Sequence, residues 1–164
     1  MKNNSIFIAT STFGVYSNEP INKLEYVYKA ILSNPLARKL SPDELIKYAR
    51  NANGIIAGTE LYTKEVLDEL PNLKVISRLG VGMDNINQSA AKEKGVKIYK
   101  TQTTPALAVA ELVLGLMLDL ARKISHQNNL LKSGTWKKQM GNLLYRKTLG
   151  IIGLGVIGKT VVKL

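Results

Sequence analysis

Short apolar runs alternate with longer, patterned stretches through the first hundred residues. Ile6-Phe7-Ile8-Ala9-Thr10 is apolar and β-rich and predicts a buried strand. A helix is predicted over residues 24–32, ending before Asn34-Pro35. Ser41-Pro42-Asp43-Glu44 opens the next helix. There Ser41 is the N-cap, Pro42 takes the first helical position, Glu44 completes a capping box, and Leu45, Ile46 and Ala49 face inward. Gly54-Ile55-Ile56-Ala57-Gly58 reads as a strand between glycines. Thr63 caps a helix through Leu70, stopped by Pro71. Leu73-Lys74-Val75-Ile76-Ser77 is a strand, residues 87–94 a helix ended by Gly95, and Val96-Lys97-Ile98-Tyr99 a strand. Continuous apolar strands between helices imply a parallel sheet covered on both faces, so the fold class is α/β. No internal repeat and no low-complexity segment interrupts this rhythm.

Residues 106–124 break the pattern. They form a long helical run without proline, apolar on nearly all sides until Asp119. Such a helix is expected to be buried, in a core or in a subunit interface. Residues 125–147 are more polar and read as a connecting region. Thr148-Leu149-Gly150-Ile151-Ile152 then predicts another strand. It runs into Gly153-Leu154-Gly155-Val156-Ile157-Gly158, with a helix opening at Lys159.

Gly153, Gly155 and Gly158 match G-x-G-x-x-G between an apolar strand and a helix, the context that dinucleotide binding requires. The first glycine allows the tight turn, the second lets a pyrophosphate approach the backbone, and the third lets helix and strand pack closely. The helix N-terminus supplies free N–H groups and positive partial charge. A glycine-rich turn without a ligand is the competing reading. A second glycine site, Ser77-Arg78-Leu79-Gly80-Val81-Gly82-Met83-Asp84-Asn85, follows a strand at the edge where open α/β sheets bind ligands. Gly80 and Gly82 leave backbone amides open to an anion, Arg78 adds a positive charge, and Asp84 or Asn85 is placed to cap the next helix. A plain strand-to-helix turn is the alternative.

Composition narrows the chemistry. The 164 residues are 45% hydrophobic and 21% charged, as in ordinary globular proteins. There is no cysteine, which excludes disulfides, thiolate metal sites and cysteine nucleophiles. The single histidine, His126, excludes a zinc site built on two or three histidines and reads as a surface or structural residue. No metal site is expected. No signal-peptide core and no run of about 18 apolar residues is present, so a cytoplasmic protein without a membrane partner is expected. The formal charge is +11, of which +9 lies in the last 45 residues, where no acidic residue follows Asp119. Nucleic acid is not the expected partner: basic runs never exceed two residues there and no recognition motif accompanies them. Glu60, Asp84, Glu111 and Asp119 show no paired spacing for independent acid–base work.

Taken in order, four blocks resemble the D-isomer-specific 2-hydroxyacid dehydrogenases, in particular their phosphoglycerate dehydrogenase-like members. The blocks are Ser77 to Ile86, Ala108-Val109-Ala110-Glu111-Leu112, Gly134-Thr135-Trp136, and Lys147-Thr148-Leu149-Gly150-Ile151-Ile152-Gly153-Leu154-Gly155 with Ile157-Gly158-Lys159. The likeness covers residues 50–164, and the first 50 match only in their βα rhythm. It implies a flavodoxin-like, parallel-sheet substrate domain over residues 1–101. Residues 102–164 would begin an NAD-binding Rossmann domain with its first βα unit, including a dimerisation helix over 106–124. Substrate contacts would fall on Arg78, Gly80, Val81 and Gly82. Cofactor contacts would fall on Val81, Gly153, Gly155, Val156, Ile157 and Gly158. The implied cofactor is NAD, with NADP open because the ribose-facing acid, expected about 20 residues past the glycines, would lie beyond Leu164.

The implied activity is hydride transfer between a small D-2-hydroxy acid and its 2-oxo acid, in a homodimer. The family's catalytic Arg, Glu and His lie far beyond the glycine motif, so this chain carries no catalytic residue. It is expected to be a truncated N-terminal portion, inactive by itself. Two positions depart from the family pattern: Pro105 stands where relatives often carry a substrate-side Asn, and Val156 where they often carry Arg. A non-catalytic dinucleotide-sensing or partner-binding protein of the same fold is the alternative. A flavodoxin-like phosphoacceptor or flavin module finds no support, because neither paired acids nor a phosphate loop follows the first strand.

Overall fold

The computed structural model describes residues 5–164, which fall into two compact units dividing between Thr103 and Thr104. The first unit alternates strands and helices: β1 (Ser5–Ile8), α1 (Glu19–Val27), β2 (Ala30–Ser33), α2 (Pro42–Ala49), β3 (Gly54–Ala57), α3 (Lys64–Asp68), β4 (Val75–Arg78), α4 (Gln88–Glu93) and β5 (Lys97–Lys100). All four pairings are parallel, in the order β2-β1-β3-β4-β5. That is the flavodoxin-like order, with its switch point between β1 and β3.

One face of the sheet carries the core. Phe7, Ile55 and Ile76 occupy adjacent register positions and pack against Leu45 and Ala49 of α2, Val66 and Leu67 of α3, and Ala90 and Ala91 of α4. The helix starts follow from local chemistry. Ser41 accepts from the Glu44 amide while the Glu44 carboxylate returns to the Ser41 amide at 2.9 Å, completing the capping box. Thr63 caps α3 and Asn87 caps α4. All five ion pairs among the described residues lie in this unit.

The helix expected over residues 24–32 is two elements. Glu19 and Pro20 start α1 earlier, it ends at Val27, and Ala30–Ser33 becomes β2. Ile31 and Leu32 find register partners in Ile6 and Phe7, and the ladder overrides the helical spacing.

The second unit contains α5 (Ala106–Arg122), α6 (Ile124–Lys132) and α7 (Val156–Lys163). Lys123, in the left-handed conformation at φ 57°, ends the long helix, so α6 occupies part of the expected connecting region. Asp119 receives the Ser125 amide at 2.6 Å and its hydroxyl at 2.7 Å, closing the start of α6. Residues 148–152 do not form the expected strand, because no neighbouring strand is present among the described residues of this unit to complete a ladder.

Of the two burials expected for α5, in a core or in a subunit interface, the core of the single chain takes one stripe. Ala106 and Ala110 are buried, and with Val113 and Met117 they mark an inner stripe at helical spacing. Leu112, Leu116 and Leu120 recur every four residues on the outside and are exposed. Among the described residues no helix is long and apolar enough to cross a membrane.

Candidate functional site

The residues singled out in the first unit meet at the carboxyl edge of its sheet, beside the switch point. Gly80 has φ +144°, and a Cβ there would collide with the Arg78 guanidinium, which folds back so that Nη1 donates to the Leu79 carbonyl. A side chain at position 80 would have to displace that flexible guanidinium and adopt a strained backbone. The Gly80 amide itself is already taken. It donates to the Thr101 hydroxyl at 3.0 Å and to the Arg78 carbonyl, while the Thr101 amide returns to the carbonyls of Arg78 and Gly80. Gly80 therefore shapes the loop and is not a free donor. The amides of Val81, Gly82 and Met83 find no acceptor among the described residues. Successive unpaired amides of this kind make a concavity suited to an oxyanion.

A buried polar layer supports the loop from below. Glu60 is 2% exposed and its Oε2 accepts from the Gly58 amide at 2.8 Å. Asn85 does not cap a helix, nor does Asp84. The Asn85 Nδ2 donates to the carbonyls of Gly58 at 3.1 Å and Glu60 at 2.7 Å, clamping the loop after β3 to the loop after β4. Tyr62 completes the join, its amide donating to the Asn85 carbonyl and its carbonyl accepting from Asn87. The Tyr62 hydroxyl and the Arg78 Nε are both buried without a partner. Burial pushes the Tyr62 phenol well above its ordinary value; Glu60 adds to that shift and Arg78 opposes it. Sequence reasoning missed Thr101 and the clamping roles of Asn85 and Glu60. The available signal was a hydroxyl or amide side chain at or just past the end of a strand.

In the second unit Gly153 turns the chain at φ +90°, and Gly155 is the N-cap of α7. A Cβ on Gly158 would collide with the Gly153 carbonyl oxygen, so the helix rests directly on the turn. Gly155 has open space where a side chain would be. No side chain caps α7, which leaves the first amides of the helix, from Val156, Ile157 and Gly158, without intrahelical acceptors. The helix starts at Val156, three residues before the expected Lys159. A hollow of roughly 590 Å³ separates the turn from Val113 and Met117 of α5. These features fit a dinucleotide pyrophosphate: an open approach at Gly155, free donors and the positive end of a helix. His126 is exposed on α6 and lines a different hollow, with Asp119 and Ser125. Among the described residues no cluster of three or more potential metal ligands occurs.

The family model described as D-isomer specific 2-hydroxyacid dehydrogenase, catalytic domain, matches residues 9–159. The chain is 43% identical over 132 residues to D-3-phosphoglycerate dehydrogenase of Methanocaldococcus jannaschii, covering 78% of this chain and 25% of that protein. It is 36% identical over 156 residues to hydroxypyruvate reductase of Thermotoga maritima, covering 92% and 51%. Among solved structures, a Polaromonas chain assigned to the NAD-binding D-isomer specific 2-hydroxyacid dehydrogenases superposes with a TM-score of 0.83 at 27% identity, over 98% of this chain and 51% of that one. The NAD+-bound 3-phosphoglycerate dehydrogenase of Entamoeba histolytica gives 0.72 at 25% identity, over 98% and 50%. The chain thus spans between a quarter and about half of the proteins it resembles. On this match, and on a flavodoxin-like sheet followed by a glycine turn, the chain belongs to the D-isomer specific 2-hydroxyacid dehydrogenase family.

Proposed function

We propose that the protein serves NAD-dependent interconversion of a small D-2-hydroxy acid and its 2-oxo acid. In the reducing direction one hydride and one proton add across the substrate carbonyl, and the nicotinamide supplies the hydride when bound. The observation that carries this reading is the run of unpaired amides at Val81 and Gly82, beside Arg78, at the carboxyl edge of the sheet. These amides would hold the substrate carboxylate. Gly80 would hold their geometry through Thr101, and Val81 would also touch the cofactor. Gly153, Gly155, Val156, Ile157 and Gly158 would hold the pyrophosphate. NADP stays the alternative cofactor.

The 164-residue chain by itself would not turn over. Its only histidine is exposed on α6 and lines neither the glycine turn nor the β4 loop. The leucine ridge of α5 would pair with a second copy, making a homodimer in the cytoplasm without nucleic-acid or membrane partners. That same ridge supports a second reading, a non-catalytic dinucleotide-sensing or partner-binding protein.

The test is titration of the isotope-labelled chain with glycerate and, separately, NADH. Glycerate is expected to shift the Val81 and Gly82 amides saturably, and NADH to bind weakly or not at all. Steady-state assays with 2-oxo acids are expected to show no NADH oxidation. Tight saturable NADH binding or turnover would overturn the inactive-chain reading. Glycerate shifts that avoid Val81 and Gly82 would overturn the carboxylate site.

A further inference from the structure

The amino-terminal edge of the sheet is joined at one residue, and that residue belongs to a chemically weak dipeptide. Asn53 immediately precedes β3 and reaches both flanking strands. Its amide donates to the Ser5 carbonyl at 2.9 Å, and its carbonyl accepts from the amides of Lys74 at 2.8 Å and Val75 at 3.3 Å. The side chain repeats the connection: Oδ1 accepts from the Ser5 amide at 3.0 Å and Nδ2 donates to the Asn72 carbonyl at 3.2 Å. The junction therefore uses both the acceptor and the donor of a carboxamide. The next residue is small for a separate reason. A Cβ on Gly54 would crowd Ile6 Cδ1 at 2.7 Å and the branched Val75 Cγ1 at 3.0 Å, from β1 and β4. Asn followed by Gly occurs only at 53–54 in the sequence. With no Cβ on the second residue, the Gly54 nitrogen meets little obstruction in approaching the Asn53 Cγ.

We propose that Asn53 is a spontaneous modification site that the fold keeps shut: its carboxamide cyclises onto the Gly54 nitrogen only when the first unit opens at this junction. The Gly54 nitrogen gives up its proton and bonds to Asn53 Cγ. The Cγ–Nδ2 bond breaks, and ammonia leaves carrying that proton. Water then opens the cyclic imide at either carbonyl, leaving aspartate or isoaspartate, with no change of oxidation state. In the folded chain, turning the carboxamide onto Gly54 breaks its bonds to Ser5 and Asn72. Neither product restores the junction. Aspartate has no N–H for the Asn72 carbonyl, and isoaspartate adds a methylene to the backbone where β1, β3 and β4 meet. The change is one-way and accumulates with each opening.

The experiment holds the 164-residue chain at mildly alkaline pH, folded and in urea. Peptide mapping by mass spectrometry follows the exchange of NH2 for OH at each asparagine. In urea, Asn53 is expected to convert ahead of every other asparagine. In the folded chain its conversion is expected to be at least about tenfold slower. Urea below the unfolding transition is expected to speed conversion in step with hydrogen exchange at the Ile55 amide, because both track the opened population. Equal rates in folded and unfolded chain, or conversion of the folded chain indifferent to low urea, would overturn the gating by the fold. An Asn53 no faster than its fellow asparagines in urea would overturn the site itself. Asn53→Asp supplies one product directly. It is expected to raise exchange at Ile55 and Ile76 about tenfold, the effect of one lost hydrogen bond. Exchange equal to the parent's would overturn the one-way reading.

Discussion

Alanine at position 80 imposes two separable costs. The first is conformational: φ of +144° is open to glycine and strained for any L side chain, a cost of roughly 1–3 kcal/mol. The second is steric. The new Cβ lands on the Arg78 guanidinium and drives it off the Leu79 carbonyl, losing a hydrogen bond worth about 0.5–1.5 kcal/mol net. Gly80→Ala is therefore expected to cost about 2–4 kcal/mol in the intact chain. In an Arg78→Ala background the collision disappears, and the same change is expected to cost only the conformational part. The shortfall, about 1 kcal/mol, is the coupling between the two residues. Native-state hydrogen exchange at the Ile55 and Ile76 amides is the suitable assay. Both residues sit mid-sheet at 1% and 0% exposure, so their opening reports the first unit alone. A Gly80→Ala chain within about 0.5 kcal/mol of the parent, or an identical cost in both backgrounds, would refute the reasoning.

Three further outcomes follow from the geometry. Gly158→Ala is expected to push α7 off the Gly153 carbonyl and cost the second unit about 1–3 kcal/mol, read through Trp136, the only tryptophan; an unchanged transition would contradict the close approach. The Glu44 carboxyl is held at about 2 by its hydrogen bonds to Arg38 and then to the Ser41 amide, against an ordinary 4.5. Because the folded value is the lower one, this stabilisation is complete above pH 4.5 and disappears as pH falls toward 2. Glu44→Gln should flatten the fall in melting temperature over that window, and an unaltered pH profile would show that the box does not contribute. Leu116→Glu combined with Leu120→Glu is expected to abolish self-association through α5, measured by light scattering; a dimer that survives both changes must use another surface.

Much of the first unit is written locally. Ser41 and Glu44, Thr63 and Asn87 announce their helices through side chains that satisfy amides within three residues, and the structure uses each as a cap. β2 is the exception, because its state depends on β1, a partner 25 residues away, and helical spacing alone misleads there. The glycine sites were legible as glycines, yet their duties were not. That Gly80 is a shaped hinge and not a donor depends on a hydroxyl 21 residues later. Asn85 looked like a cap and proved to be a clamp, because its acceptors belong to the preceding βα loop. Residues 148–152 show the converse: an apolar β-rich run carries the propensity, but a strand exists only beside another strand.

Among the described residues every ion pair lies in the first unit. From Thr104 onward nine cations face two carboxylates, so the second unit folds against its own repulsion. Added salt should stabilise it by screening, over a Debye length of about 10 Å at 0.1 M. Guanidinium chloride, itself a salt, would shield the charges it is meant to expose, whereas urea would leave them bare. The two denaturants should therefore rank the two units differently, and only the urea series would reveal how much the charge repulsion destabilises the second unit.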